Sequence, residues 1–551
     1  MKSRTHILLV IIVTLAFLLR FWQLAKIPVG FNDDEAAFGY NAYSILKTGR
    51  DEWGRLLPFP AFESFGDWKL SGYFYLTVIS EAIFGLNEFA TRFPSALFGV
   101  AAVFTTYLLA TRLFNKRMGL LASLLLAISP WHIVASRNAF ESDLLVFFTS
   151  LAAYFFLKFE DNKKYLLVSL VIFCASFYIY RSSWVFVPLF VLWLAIVFNK
   201  SLFKIKKELV WYSLLSIILL LPLLPSILSF SGQSRFLQES FITGISRVGI
   251  INEINEKRGI CTNHVPSLFC SLIYNKFLAF GTVYINSYTQ NLSIKNFFEK
   301  ANIHGFQSFS ERSTFYFFEL PLLGFGVISL LKAKGKSSKI ILGWFIIAPI
   351  GASVTGSGNF GRLNIIMPAP QIISAFALIK ILDSLKKIEA KVIFSLFCAG
   401  VIAFSIVKFS VDTFFIEPFY TSRYQRYGYK ELFGYIKQNE SQYDNILISH
   451  KIDYSHQYIQ YLFSSKVDPH LVQTESERTH DNGGWVVFSK IGKYNFVPSL
   501  PDLNTRPKSL IVVGESEIPS NDQIYTIRDI RGDIIFKIYN SSDLVNTKED
   551  K

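Results

Sequence analysis

The sequence predicts a mainly α-helical, polytopic membrane protein with a small α/β domain at its C-terminal end. Three observations carry that prediction. Apolar runs of spanning length recur through the first 411 residues, the Lys- and Arg-rich stretches fall on alternate loops between them, and beyond about Ser410 the composition turns polar. Of the 551 residues, 51% are hydrophobic and 16% aromatic, and the mean hydropathy is +0.35. A soluble chain of this length does not reach such values. The formal charge of +14 would suit a nucleic-acid partner if it were gathered in a patch. It lies instead in short loops between apolar runs, where it orients a chain in a bilayer.

The first run, Ile7 to Leu24, follows Lys2 and Arg4 and precedes no small-residue cleavage site, so it reads as a retained first span. Further runs lie at Phe93–Leu113, Gly119–Val134, Leu144–Leu157, Tyr165–Ile179, Trp184–Phe198 and Leu209–Phe230. Four more follow at Phe315–Leu331, Ile340–Val354, Leu363–Leu382 and Val392–Val407, which makes about 11 transmembrane helices. The run Leu70–Phe84 is short and carries Glu81. Read as an interfacial helix, it leaves five basic loops, from Asn115–Arg117 to Asp383–Lys391, on the side of the N-terminus. Read as a span, it would turn all five outward. The first reading puts the N-terminus in the cytoplasm of a multi-pass plasma (inner) membrane protein. Arg20 and Lys26, at the outer end of the first span, are then expected to snorkel.

The domain reading follows. Residues 1–411 form the membrane domain, with a first outer loop at 27–91 and a long outer loop at 231–314, and residues 412–551 form an extracytoplasmic α/β domain. In the latter, Tyr427–Asn439 has the period of an amphipathic helix, "NILIS" and "SLIVVG" read as buried strands, and "QIYTIRDIRGDIIFKIY" reads as two strands around a glycine turn. Arg531-Gly532-Asp533 fits that turn. Cys261 and Cys270 share the long outer loop, so a disulfide between them is open, while Cys174 and Cys398 fall in spans. His264 and His304 are solvated loop residues in this reading.

Polar chemistry gathers on the outer face. Asp33, Asp34 and Glu35 open a helix that Gly49 closes, with Asn32 or, preferentially, Asp33 as its cap. Capping uses one or two carboxylates, and three beside a bilayer are costly, which points Asp34 and Glu35 to function. Lys69, two residues after Asp67, stands at headgroup depth and suits a lipid phosphate. Arg137, Glu141 and Asp143 follow within seven positions, either as a local ion pair or as part of a shared site, and Arg181 and Arg362 stand at outer span ends. Carboxylates can activate an acceptor or hold a divalent ion, and cations can neutralise a phosphate leaving group. The arrangement suits transfer of a group from a phospho-lipid to an acceptor outside the cytoplasm.

The stretches "DEAAFGYNAYSILKTG", "WGRLLPFP", "GDWKLSGYFYL", "FGLNEFATRFPSALFG" and "SPWHIVASRNAFESDLLVFF" together resemble the GT-C membrane glycosyltransferases. The resemblance is to glycosyltransferase family 39, with its protein O-mannosyltransferases, and to the lipid A aminoarabinose transferases. It implies a GT-C fold and an inverting transfer of a sugar from a polyprenyl-phosphate donor to a protein, lipid or glycan acceptor at the outer leaflet. It assigns the catalytic carboxylates to Asp34, Glu35 and Glu141, with Asp143 in reserve, and the donor phosphate to Lys69. Asp67, Arg137, Asp143, Arg181 and Arg362 are the further substrate-binding candidates, and Asp34 and Glu141 the candidates for a divalent metal. Two departures stand out: Leu70-Ser71 replaces the Pro-Pro that follows the family's lysine, and the spacing leaves Glu141 and Asp143 interchangeable. Alternatives to a single-sugar transferase are a flippase or transporter of lipid-linked sugars, and an oligosaccharide polymerase or ligase.

Overall fold

The computed structural model describes residues 2–228, 240–299, 313–452, 456–481, 484–500, 508–518, 522–542 and 544. The chain divides into two compact units. One comprises Met1–Trp22, Ser95–Ile303 and Gln307–Ser410, and the other Gln23–Pro94, His304–Phe306 and Val411–Lys551. His304 lies outside the described residues, and His264 is exposed.

The first unit is helical. It holds α1 (Lys2–Phe21), the C-terminal part of the helix Glu88–Leu113, and the helices Lys116–Ile128, Pro130–Arg137, Glu141–Lys158, Lys164–Ser176 and Ser183–Val197. Among the described residues, six helices are long and apolar enough to cross a membrane, or eight if two pairs bent by 58° and 50° each count as one span. Part of the difference from the expected 11 comes from length. Lys164–Ser176 and Ser183–Val197 have 13 and 15 residues, about 20–23 Å of helix against a hydrocarbon core of about 30 Å. Conversely, Ser267–Phe298, which the sequence reading left inside the long outer loop, has the length and hydropathy of a span. Its apolar run is interrupted by Asn275, Asn286 and Gln290, which hide it from a reading by continuous runs. Cys261 and Cys270 in this region are disulfide-bonded, Cys174 is buried, and Cys398 is partly so.

The 58° bend shows why a charged residue ends the first span. Pro130 lacks an N–H and the Trp131 N–H goes to the Thr314 carbonyl, so the Leu126 and Ala127 carbonyls lose their next-turn donors. Arg20 supplies them: Nη1 donates to Ala127 O at 3.0 Å and Nη2 to Leu126 O at 3.3 Å. Arg20 is fully buried, so the expected snorkelling does not occur. Its charge is spent inside on a broken helix end.

The second unit joins the first loop to the C-terminal segment. Within it lie α2 (Asp33–Thr48), the hairpin β1 (Ala61–Ser64) and β2 (Asp67–Leu70), and α3 (Ser71–Phe84). Fourteen residues long, α3 is not among the spanning candidates. The sequence reading missed the hairpin. Phe65 and Gly66 both have positive φ (42° and 91°), the two-residue turn that matches strand twist, and the pairing sets Phe62 opposite Lys69 and Ser64 opposite Asp67.

The C-terminal part is a seven-stranded sheet of β3 (Asn445–Ser449), β4 (Glu477–His480), β5 (Val486–Ile491), β6 (Tyr494–Val497), β7 (Ser509–Gly514), β8 (Tyr525–Arg528) and β9 (Ile534–Asn540). Their order is β4-β5-β6-β3-β7-β9-β8, with β3 parallel to β6 and β7 and the remaining pairs antiparallel. The strands and the helix read from the sequence all form, and the Asp529 carboxylate accepts the Arg531 and Asp533 N–H groups to close the expected turn. Side chains alternate along β3. Ile446 and Ile448 join a core with Leu432, Phe433, Ile459 and Leu462, whereas Leu447 joins Ile511, Val513 and Tyr539 on the other face. The former core also takes in Phe31, Ala36, Ala37, Tyr40, Phe65 and Leu86 from the first loop. The compact unit therefore joins Gln23–Pro94 to the segment that begins at Val411, because first-loop and tail side chains bury one another.

Candidate active site

The site is built from the N-terminus of α2. Consecutive residues on a helix point about 100° apart, so three adjacent acids face three surroundings. Asn32, rather than Asp33, is the cap: its side chain accepts the Glu35 N–H at 3.0 Å while Glu35 Oε2 accepts the Asn32 N–H at 3.2 Å, a reciprocal capping box. Asp33 is buried and turned to the tail. Arg426 donates to its Oδ2 from Nε at 3.0 Å and Nη2 at 2.8 Å, His456 Nδ1 lies 3.3 Å away, and Gln460 Nε2 donates to Oδ1 at 2.9 Å. Burial alone would raise the Asp33 carboxyl, but Arg426 and His456 together outweigh it and hold it at about 2.

Glu35 is fully enclosed. Arg92 holds it in a two-pronged pair, Nε to Oε1 at 2.7 Å and Nη2 to Oε2 at 2.8 Å, and also donates to the Leu24, Pro28 and Gly30 carbonyls. One guanidinium thus fixes both the helix start and the loop leading into it. Arg92 escaped the sequence reading, though a lone arginine in the apolar stretch "FATRFPSALF" was a signal that a buried anion must exist.

Asp34 is the acid of the three whose carboxylate reaches solvent, with 31% of its side chain exposed. Lys69 Nζ donates to it at 2.5 Å and to Asp67 Oδ2 at 2.9 Å. The Lys69 side chain is only 1% exposed, and its ammonium lies 4.5 Å from the Phe65 ring centroid. The hairpin register produces this contact, since Asp67 and Lys69 are two apart on β2 and share a face.

Deeper on the hairpin side, Glu52 is fully buried, accepts from Asn41 and Ser64, and has Arg478 at 3.6 Å. Burial raises its carboxyl above the usual range despite those partners. Glu63 meets Arg55 Nη2 and His480 Nε2, each at 2.6 Å.

The other predicted residues belong to the helical unit. Arg137 is buried and donates to the Leu19 and Arg20 carbonyls at 2.9 and 3.1 Å and to Trp22 O at 2.8 Å, holding the end of α1. Asp143 is also fully buried, with Asn364 Nδ2 at 3.5 Å and His132 Nε2 at 3.7 Å. Arginine has no acceptor, so His132 Nδ1 accepts from Arg20 Nη2 at 2.6 Å and its ring proton sits on Nε2, toward Asp143. Glu141, Arg181 and Arg362 are partly exposed. Exposure thus separates Glu141 from Asp143, which spacing could not. Among the described residues, no three His, Cys, Asp or Glu side chains converge as a metal-ligating group.

Residues 72–227 match the family described as dolichyl-phosphate-mannose-protein mannosyltransferase. Curated relatives include an uncharacterized protein of Aquifex aeolicus (strain VF5), 34% identical over 104 residues, and YkcB of Bacillus subtilis (strain 168), provisionally named a mannosyltransferase, 30% identical over 145 residues. The matches take in 19% and 25% of this chain and only 21% and 19% of those proteins. Among solved structures, apo ArnT from Cupriavidus metallidurans aligns with a TM-score of 0.53 at 12% identity, covering 97% of this chain and 98% of ArnT. Its undecaprenyl phosphate-bound form gives 0.51 at 12% identity, over 98% of both chains. The oligosaccharyltransferase AglB from Archaeoglobus fulgidus, in complex with an inhibitory peptide and a dolichol-phosphate, gives 0.51 at 15%, over 84% of this chain and 64% of AglB. At these identities the structures establish a shared fold, and the multi-pass GT-C architecture expected from the sequence is the one found.

Proposed function

We propose that this protein transfers a sugar from a polyprenyl-phosphate donor to an acceptor at the outer face of the membrane, with Asp34 as the catalytic carboxylate. The observation that carries the reading is the sorting of the three acids. Asp33 and Glu35 are buried against guanidinium groups, whereas Asp34 is partly exposed and ionically paired to a lysine. A carboxylate so held can accept the proton of an acceptor hydroxyl as the oxygen attacks the anomeric carbon. The new carbon–oxygen bond forms as the bond to the phosphate oxygen breaks, and the polyprenyl phosphate departs with that electron pair, which inverts the anomeric centre. Lys69, in contact with Asp34, is the cation that suits the donor phosphate in this reading. The match to the dolichyl-phosphate-mannose-protein mannosyltransferase family over residues 72–227, and the dolichol-phosphate and undecaprenyl phosphate held by the AglB and ArnT structures, support a lipid-phosphate donor.

The test is transfer in reconstituted membranes with a panel of polyprenyl-phosphate sugars. The wild type should release polyprenyl phosphate with at least one donor, and Asp34→Asn should lose roughly 100-fold or more of that rate. Release of no polyprenyl phosphate from any donor, or full activity in Asp34→Asn, overturns the reading.

A further inference from the structure

We infer that the C-terminal segment belongs to the catalytic centre: Arg426, with Gln460, is a positioning residue that holds the first turn of α2 and thereby sets where Asp34 stands. The inference rests on the catalytic reading of Asp34 given above.

The residues from Gly30 to Asp33 lead into that turn, and each meets the tail. Gly30 has φ +89°, and a Cβ there would lie 2.1 Å from the Gln425 carbonyl oxygen, so glycine is what lets the tail backbone come this close. The Phe31 carbonyl accepts from Gln460 Nε2 at 2.8 Å, and Asn32 Nδ2 donates to Gln425 Oε1 at 3.4 Å. Asp33 takes Nε and Nη2 of Arg426 on Oδ2 and the Gln460 amide on Oδ1. One amide group of the tail thus ties a loop carbonyl to a carboxylate of the helix, and one guanidinium fixes that carboxylate from a second side.

The backbone of Arg426 bears on the same point. Its φ is 55°, a left-handed conformation that glycine adopts freely and a residue with a Cβ adopts at a cost. The turn is closed by the Tyr427 N–H to the Ser422 carbonyl at 2.9 Å. A glycine at 426 would relieve the strain but could not reach Asp33, so the strain marks a side chain that is needed. The helix itself does not require the tail, because the Asn32–Glu35 capping box and Arg92 secure its start. What the tail adds is position. Asp34 follows Asp33 directly, and its partly exposed carboxylate is held from both neighbours, by Arg426 at Asp33 and by Arg92 at Glu35. A shift of about 1 Å at a reacting group can cost roughly 100-fold in rate, so releasing the Asp33 side of the turn reaches catalysis while leaving donor affinity.

Two measurements test the inference. In the first, purified full-length wild type, Arg426→Met and Arg426→Lys are treated with a carbodiimide, which joins a carboxylate to an amine it touches. Mass spectrometry then measures the isopeptide bond between Asp34 and Lys69, whose groups lie 2.5 Å apart. The bond is expected in the wild type, at background in Arg426→Met and at intermediate yield in Arg426→Lys. The double variant Asp33→Leu/Arg426→Met, which leaves neither charge buried alone, takes the place of Arg426→Met if that protein does not fold. A wild-type yield in the folded variant, or no bond in the wild type, overturns the inference even if no sugar donor is ever found.

In the second, donor kinetics are compared for Arg426→Met, Arg426→Lys and Gln460→Met, each first checked for a wild-type melting profile and with the same double variant in reserve. Arg426→Met and Gln460→Met should lower kcat roughly 10- to 100-fold with donor KM within about 2-fold, and Arg426→Lys should recover part of kcat. Wild-type kcat in folded Arg426→Met overturns the inference. So does a raised donor KM with kcat kept, which would make Arg426 a donor-binding group. A wild type that releases no polyprenyl phosphate defeats the functional reading instead, and the cross-linking result then still decides whether the tail places Asp34.

Discussion

Asp33 is the residue whose charge has the clearest thermodynamic consequence. Its carboxyl is held at about 2, below the value of about 3.9 for an unfolded chain. The unfolded chain therefore takes up the proton first. The stabilisation is present in full above about pH 4 and is lost as pH falls through about 2, and on the order of 2 kcal/mol is at stake. Thermal unfolding in detergent between pH 5 and 2 should show this loss in the wild type, and Asp33→Asn should lack that component. An identical pH slope in both proteins would mean that the Arg426 contact does not persist in solution. Glu35 and Arg92 illustrate the opposite economy. Both are fully buried, and removing either alone leaves a buried charge, a change that typically costs about 3–5 kcal/mol.

Among the elements, the β1–β2 hairpin carries the most information per residue. Gly66 sits at φ +91°, and a Cβ there would lie 2.2 Å from the Gly484 carbonyl oxygen. Both demands exclude a side chain. Gly66→Ala is expected to destabilise the protein by roughly 2–3 kcal/mol and to lower transfer, because the turn sets the position of Asp67 and Lys69. The check is a pair of measurements, a melting temperature and a turnover rate. An unchanged melting temperature would show that Gly66 and Gly484 do not touch. This hairpin was legible in principle: "AFESFGDWKL" has alternating residues around a two-residue turn. A reading by apolar runs misses it because the stretch lies between a loop and an apolar run, where Lys69 reads as a lone cation at headgroup depth.

For the whole molecule, the shared core of the second unit predicts what the tail is for. Phe31, Ala36, Ala37, Tyr40, Phe65 and Leu86 pack with Leu432, Phe433, Ile459, Leu462 and Phe463. Each large side chain contributes on the order of 1.5–3 kcal/mol when fully buried. A chain truncated at Ser410 should lose these contacts along with the Arg426, His456 and Gln460 contacts to Asp33. Limited proteolysis of such a truncated protein is expected to cut within residues 27–91, where the full-length protein is protected. Equal protection of the two would show that the first loop folds without the tail.

The sequence by itself determined the membrane class, the helix that begins at Asp33 and the main strands of the tail, because hydrophobic period, loop charge and turn residues are local signals; the GT-C architecture came only through the resemblance of its motifs to that family. It also brought attention to Asp34, since three acids beside a bilayer need a reason. Only the tertiary structure decided which acid faces outward, because adjacent helical positions diverge by about 100° and their partners lie far apart in sequence. Arg92 is 57 residues from Glu35, and Arg426 is 393 from Asp33. The same separation conceals that Arg20 serves the broken helix near Pro130, 106 and 107 residues from its carbonyl partners. Pairings across such distances are selected by burial, which leaves a charged group no partner except the one the fold delivers.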